Sequence, residues 1–257
     1  MFILKLVFVA CAVLIKCETA FVDTLSKCSI KDDECIGELF ESSLRKIGSV
    51  GIPELNMPPI DPYKVTNMTI KVLEAIKLTM TDGVVKGISK CQIKKYHVDL
   101  DKQTGVQEIL CDLIIKGNIV VEGTSPLLQG VFGTPSIDSA GKGKVKLDKL
   151  FLRFDFPLIP FKKDDGEIYF KILSKKIKYK YDVEKATFGA EKIMVGKEDM
   201  SKAIVPYFNN NYKAILEIIG ESIFDAAKEI FADILKKFFE FIPSKNYMVE
   251  DLSYLVK

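Results

Sequence analysis

MSKAIVPYFNNNYKAILEIIGESIFDAAKEIFADILKKFF, residues 200–239, carries an apolar stripe at helical spacing for roughly nine turns. Phe208, Tyr212, Ile215, Ile219, Ile223, Ala226, Ile230, Ile234 and Phe238 lie on one face, and Leu216, Phe224, Phe231, Leu235 and Phe239 widen it. A helix of this length would run about 58 Å, against an average of about eleven or twelve residues. Pro206 is expected to kink or restart it, Gly220 is a weak point at mid-length, and Pro243 ends it. The stripe is broader than the seam of a coiled coil, and its phenylalanines suit a curved sheet better than a matching helix. A sheet wrapped around this helix is therefore the expected architecture.

Upstream, strands are expected over most of Val65 to Val195. One hairpin is read from Ile88–Leu100 through Asp101–Gly105 into Val106–Val121. A second runs from Lys142–Phe156 through the loop 157–165 into Gly166–Val183. These strands are two to three times longer than the usual five or six residues. In the second hairpin the apolar phase moves from Val145 and Leu147 to Leu150, Leu152, Phe154 and Phe156. On the partner it moves from Ile168, Phe170 and Ile172 to Ile177, Tyr179 and Tyr181. A one-residue slip is what a β-bulge produces, and opposed bulges would bend the sheet sharply. The fold class is α+β: a long, strongly curved antiparallel sheet around one long C-terminal helix.

Residues 1–20 read as a signal peptide, with Lys5 before the apolar run Leu6–Ile15, which is too short to span a bilayer. Residues 21–257 then form a single domain, since no linker rich in Pro, Ser or Gly divides them. The expected localisation is extracellular, with no integral membrane segment. Removing Lys5, Lys16 and Glu18 takes the formal charge from +2 to +1, which argues against nucleic acid as a partner. Four cysteines remain, and they permit three pairings. Cys28–Cys35 is favoured because it closes a short loop that braces the following helix, at about 2.5 kcal/mol by loop entropy. A zinc site there is disfavoured by the spacing and by His97 being the lone histidine. For Cys91 and Cys111, a simple register about Gln103 leaves them about four residues out of step, so a bridge between them requires bulges. Asn67-Met68-Thr69 is a glycosylation sequon.

The N-terminal region joins Cys28 and Cys35 to an amphipathic helix from Asp33 to Ile47, with Ile36, Leu39, Phe40, Ser43 and Ile47 on one face. Gly48 and Gly51 stop it before GIPELNMPPIDP, residues 51–62, whose prolines force an extended segment. With Gly141-Lys142-Gly143-Lys144 entering a strand and Phe208-Asn209-Asn210-Asn211 before the last helix, these motifs resemble the takeout and juvenile-hormone-binding-protein family. The order of the motifs covers nearly the whole mature chain. Cys91, Cys111 and the stretch Glu191–Gly196 depart from the pattern. The resemblance implies a TULIP-like fold with an apolar tunnel. It also implies a secreted, haemolymph-type carrier of a juvenile-hormone-like terpenoid, a fatty acid or a similar lipid, linked to circadian or feeding physiology. The alternative is a TULIP-type lipid-surface or immune binding protein.

An enzyme is not expected. Gly220-Glu221-Ser222 does not continue into a nucleophile elbow, and His97 sits on the outward phase of a strand. Gly141–Lys144 precedes a strand where a phosphate cradle needs a helix N-terminus. The lysines from Lys171 to Lys180 read as the wet face of a strand. No cofactor and no metal is expected; the partner is a small hydrophobic ligand and the chain a monomer. Candidate ligand contacts are Phe208, Tyr212, Ile215, Leu216, Ile219, Ile223 and Phe224 on the long helix, with Leu39, Phe40, Leu44, Ile52 and Leu55 closing one end. Tyr212 is the expected polar handle.

Overall fold

The computed structural model describes residues 20–72, 75–126, 129, 130, 133, 135–195 and 198–256. The predicted leader lies outside the described residues apart from Ala20. Helix α1 spans Asp33–Ser49, and the strands are β1 Tyr63–Val72, β2 Ile76–Lys86, β3 Gln92–Asp99, β4 Thr104–Thr124, β5 Ser136–Pro157, β6 Ile159–Lys162, β7 Ile168–Lys171 and β8 Lys178–Glu191. Two helices follow, α2 Ser201–Asn210 and α3 Tyr212–Phe239. The class is α+β, as the sequence implied.

The main sheet is antiparallel in the order β1-β2-β4-β5-β8, with β3 paired to β4. Four inter-strand steps of about 4.8 Å would hold β1 and β8 some 19 Å apart in a flat sheet. Yet consecutive residues of α3 reach both edges. The Tyr179 hydroxyl of β8 donates to the Glu221 carbonyl (3.1 Å), and the Ser222 hydroxyl donates to the Lys71 carbonyl of β1 (2.9 Å). The sheet therefore curls around the helix.

Bulges supply part of that curl. Register slips at Met80/Asp82 on β2, Ile93/Lys95 on β3, and between β4 and β5, where Cys111 and Leu113 face Leu150 and Leu147. At this last point Lys149 takes φ 47°, and its amide donates to the Asp112 carboxylate at 2.8 Å. The predicted phase switch between Leu147 and Leu150 is thus a real bulge. The matching switch on the partner has a different origin. Residues 159–171 leave the main sheet to form the small β6–β7 hairpin, and a 3-10 turn at Ser174–Lys176 precedes β8. β8 pairs with β5 as Phe154↔Tyr179, so the expected direct return through the loop 157–165 is wrong. Two prolines, Pro157 and Pro160, and the turn at Gly166 (φ 82°) favour this excursion, while Phe170 and Ile172 anchor it in the core.

The first hairpin also turns earlier than expected. Asp99 accepts the Lys102 amide at 3.0 Å, closing a tight turn that pairs Asp99 with Thr104. With the slip near Ile93 this brings Cys91 opposite Cys111, and the two form a disulfide with their Cα atoms 4.4 Å apart. Cys28 and Cys35 form the second disulfide.

The 200–239 stretch is two helices, and the break lies at Asn211 (φ −119°, ψ 23°), five residues beyond Pro206, which sits inside α2. Three successive asparagines explain this, because their amides compete with the helical backbone. Asn209 leaves the helix face to bind the Phe188 amide and carbonyl of β8 (2.7 and 2.9 Å), and Asn211 donates to the Tyr207 carbonyl. Gly220 is no accident of composition. A Cβ there would stand 2.4 Å from the Tyr181 hydroxyl, whose ring stacks on Phe224 at 3.9 Å.

Helix α1 is capped by the Asp32 carboxylate, which accepts the Cys35 amide at 2.9 Å, and it buries Ile36, Leu39, Ser43 and Ile47. Gly51 turns the chain at φ 80°, where a Cβ would meet the Met57 carbonyl at 2.2 Å. Asp61 then fastens the proline segment to the turn before β3: it accepts the Gly87 and Ser89 amides, both at 3.0 Å, and the Ser89 hydroxyl. Burial pushes its carboxyl up, but the Ser89 hydroxyl and the two amides outweigh burial and hold it below the ordinary carboxylate range.

Candidate functional site: an apolar cavity along the long helix

Between α3 and the inner face of the sheet lies a cavity of about 390 Å³. It follows the helix from Leu216 to Phe238, which is about 33 Å at 1.5 Å per residue. Its wall draws on β1, β2, β4, β5 and β8, and on α1 at one end and α2 at the other. The lining is almost wholly aliphatic and aromatic, which is the composition of a small-molecule site.

At the α1 end the cavity stops against an aromatic plug. Phe40 stacks on Tyr96 at 4.2 Å and packs on Phe238 and Phe239 at 5.1 and 5.5 Å, while Phe154 stacks on Phe231 at 3.8 Å. Tyr247 closes the cluster behind Phe238 at 5.2 Å. Burial pushes the Tyr96 and Tyr247 phenols well up, so both stay neutral, and neither hydroxyl has a partner among the described residues. Two polar side chains face the void itself from this end, Ser43 and Gln107, and both are buried.

A second, wider cleft lies outside the sheet between α1 and residues 89–94, lined by Glu41, Arg45, Ser89 and Lys90 among others. It opens to solvent and is charged, and Glu41 is already engaged there by Arg45 and by the Ile93 amide. Among the described residues no cluster of His, Cys, Asp and Glu suited to a metal ion occurs. No helix among them is long and apolar enough to cross a membrane.

The family model for haemolymph juvenile hormone binding protein (JHBP) matches residues 5–248. The chain belongs to that family. JHBP proteins bind lipophilic ligands, and the apolar void along α3 accords with that. Among solved structures, the crystal structure of Epiphyas postvittana Takeout 1 is similar, with a TM-score of 0.76 and 21% identity over 88% of this chain and 100% of the other. At that identity the likeness is one of fold, and the fold is TULIP-like. No curated protein matches the chain.

The structure distributes the sequence-predicted contacts unevenly around this JHBP cavity. Phe40, Leu44, Phe208, Leu216, Ile219, Ile223 and Phe224 all line it. Leu39 and Ile52 are buried in solid core, and Leu55 packs against that core. Ile215 lies outside the lining. Tyr212, the expected handle, turns the other way: its hydroxyl donates to the Glu184 carbonyl of β8 at 2.9 Å. Ile215 lies one helical turn before Ile219, at the end of α3 where the lining passes to Val205 and Phe208 of α2. What the sequence reading missed is the sheet's share of the wall, from Val65 and Met68 on β1 to Phe188 on β8. The signal was present in the inward phase of each strand, most plainly in Gln107, a polar residue in an otherwise apolar odd-numbered row on β4.

His97 is exposed and pairs with Asp33 of α1 at 3.0 Å, so it serves as an outside tie. Asn67 is exposed on β1 with φ 51°. Lys171, Lys175, Lys176, Lys178 and Lys180 are all exposed, as a wet face requires, though the run crosses three elements.

Proposed function

We propose that the protein is a secreted carrier that binds a small apolar ligand in the cavity beside α3. The ligand class is a juvenile-hormone-like terpenoid, a fatty acid or a similar lipid. The observation that carries this reading is the state of the helix face. Ile219, Ile223, Ala226, Ile230 and Ile234 point inward and yet remain only partly buried, because they front an unfilled space. An apolar wall without a filling is a site whose occupant comes from outside. Phe208, Leu216, Ile219, Ile223 and Phe224 would touch it from the helices, and Phe40 and Leu44 from α1.

Residues 21–257 act in this reading as one ligand-binding domain, released after loss of a leader at 1–20. Two disulfides among the described residues support an oxidising compartment, and exposed Asn67 is the acceptor for a glycan there. The carrier works without catalysis, as a monomer, in a haemolymph-like fluid and in circadian or feeding physiology. Desolvation drives the binding. A fifteen-carbon terpenoid burying roughly 400 Å² gains about 10 kcal/mol gross. Loss of ligand freedom reduces this, which leaves affinities between about micromolar and nanomolar.

Native mass spectrometry of the secreted protein, before and after solvent extraction, tests the proposal. A lipid-sized adduct that extraction removes and an apolar probe then replaces is the expected result. A protein with no adduct, and no uptake of any fluorescent fatty acid or hormone analogue, would overturn it.

A further inference from the structure

We propose that Gln107 and Ser43 form a polar subsite at the α1 end of the cavity that receives the oxygen of an uncharged head group and rejects an ionised carboxylate. The inference rests on the carrier reading and narrows its ligand class.

Gln107 stands on β4 in the inward phase, followed at alternate positions by Ile109 and Cys111. It is 7% exposed and lines the void, and its side-chain amide makes no hydrogen bond among the described residues. Such a group is costly to leave unpaired, so it marks where a hydrogen-bonding occupant gains most. Across the strands it faces Tyr96 on one side and Phe154 on the other. The Tyr96 ring stacks on Phe40 of α1, and Ser43 follows Phe40 by nearly one helical turn on the same face. Ser43 also lines the void, is 3% exposed, and its hydroxyl has no partner among the described residues. Two unsatisfied polar side chains, from different elements, therefore converge on one end of an otherwise oily chamber.

The charge pattern fixes the chemistry. The lone cationic residue of the described lining is Lys144, which is exposed and alternates with inward Val145, so its ammonium stands outside the sheet. A carboxylate entering at Gln107 would be buried without a counter-charge. An ester, aldehyde or ketone oxygen accepts from the amide NH2 and the serine hydroxyl, and an alcohol can also donate to the amide carbonyl. The chain of such a ligand then lies along α3 toward Leu216.

The full-length secreted protein, delipidated, is titrated with the neutral probe N-phenyl-1-naphthylamine, which is then displaced by methyl palmitate, hexadecanol or palmitate at pH 8. Methyl palmitate and hexadecanol are expected to bind at least about tenfold more tightly than palmitate. Gln107→Leu is expected to lose about tenfold in methyl palmitate affinity relative to the probe, and Ser43→Ala a few-fold. Palmitate binding as tightly as its ester, or an ester indifferent to Gln107→Leu while the probe still binds, overturns the subsite and leaves the carrier reading standing. Should Gln107→Leu lose the probe as well, the ester-to-palmitate ratio of the unaltered chain decides. If the unaltered chain takes up neither the probe nor any of the three lipids, the carrier reading falls and the subsite with it.

Discussion

The two halves of α3 carry the same apolar stripe and meet opposite fates. From Ala232 to Phe239 the helix packs into the core: Ala232, Leu235, Phe238 and Phe239 are all at most 4% exposed, wedged among Phe21, Phe40, Phe170 and Tyr247, while Ile234 stays partly buried and fronts the void. From Leu216 to Ile230 only Gly220 and Phe224 are buried, although Ile219, Ile223 and Ile230 point inward too. The difference lies in what stands opposite. The C-terminal half is met by α1, the β6–β7 excursion and the chain end at Tyr247–Leu252, and these fill the space. The other half faces the curled sheet, with α2 only at its far end, and a sheet curled around a helix in this way does not close on it. Stability is concentrated at one end and vacancy at the other.

Truncation should separate the ends most sharply. Phe239→Ala, in the packed half, is expected to cost about 3–5 kcal/mol in urea unfolding, while Ile223→Ala on the void wall costs less than about 2 kcal/mol. Equal losses would abolish the distinction. The crosslinks come next. Replacing Cys91 and Cys111 with serine removes the tie between β3 and β4 on the cavity wall, for about 3 kcal/mol by loop entropy. Removing the Cys28–Cys35 bridge near the packed end costs about 2.5 kcal/mol, because its loop is shorter. Thermal melts of the two double variants give the order directly.

Overpacking reverses the comparison. Ala232→Phe has nowhere to go and should cost about 1–3 kcal/mol, whereas Ala226→Phe projects into the cavity. The second variant should melt within a few degrees of the parent and yet lose most of its binding of an apolar fluorophore; intact binding would show that the cavity is not where ligand goes. The smallest effect is at Asp61, which fastens the segment beside the packed end. Asp61→Asn should cost about 1–2 kcal/mol at neutral pH. Its carboxyl is held low in the folded state, so the stability it contributes is present above the unfolded value near 3.9 and fades as pH falls through the lower folded value. The difference between parent and variant should therefore shrink below about pH 4, and a constant gap down to pH 2 would refute that role.

Residues 200–239 and the strand phases made the helix, the sheet and their embrace legible, because periodicity is local and the apolar face of each element must go somewhere. The bulge at Lys149 was legible as well, since a slipped phase of apolar residues has few other causes. The β6–β7 excursion was not, as its apolar residues keep a strand's rhythm whichever strand they pair with. Register was likewise hidden: one turn closed by Asp99 and one slip near Ile93 decided that Cys91 meets Cys111.

Composition and periodicity thus determined that this chain makes a long oily helix and a bent antiparallel sheet, and the motif order determined its kinship. Tertiary structure alone decided where the stripe is filled and where it is left bare, and that Gln107 rather than Tyr212 offers a free polar group to the interior. The reason is physical. A residue's tendency to leave water is written in its own side chain, but whether another atom arrives to cover it depends on segments far away in sequence.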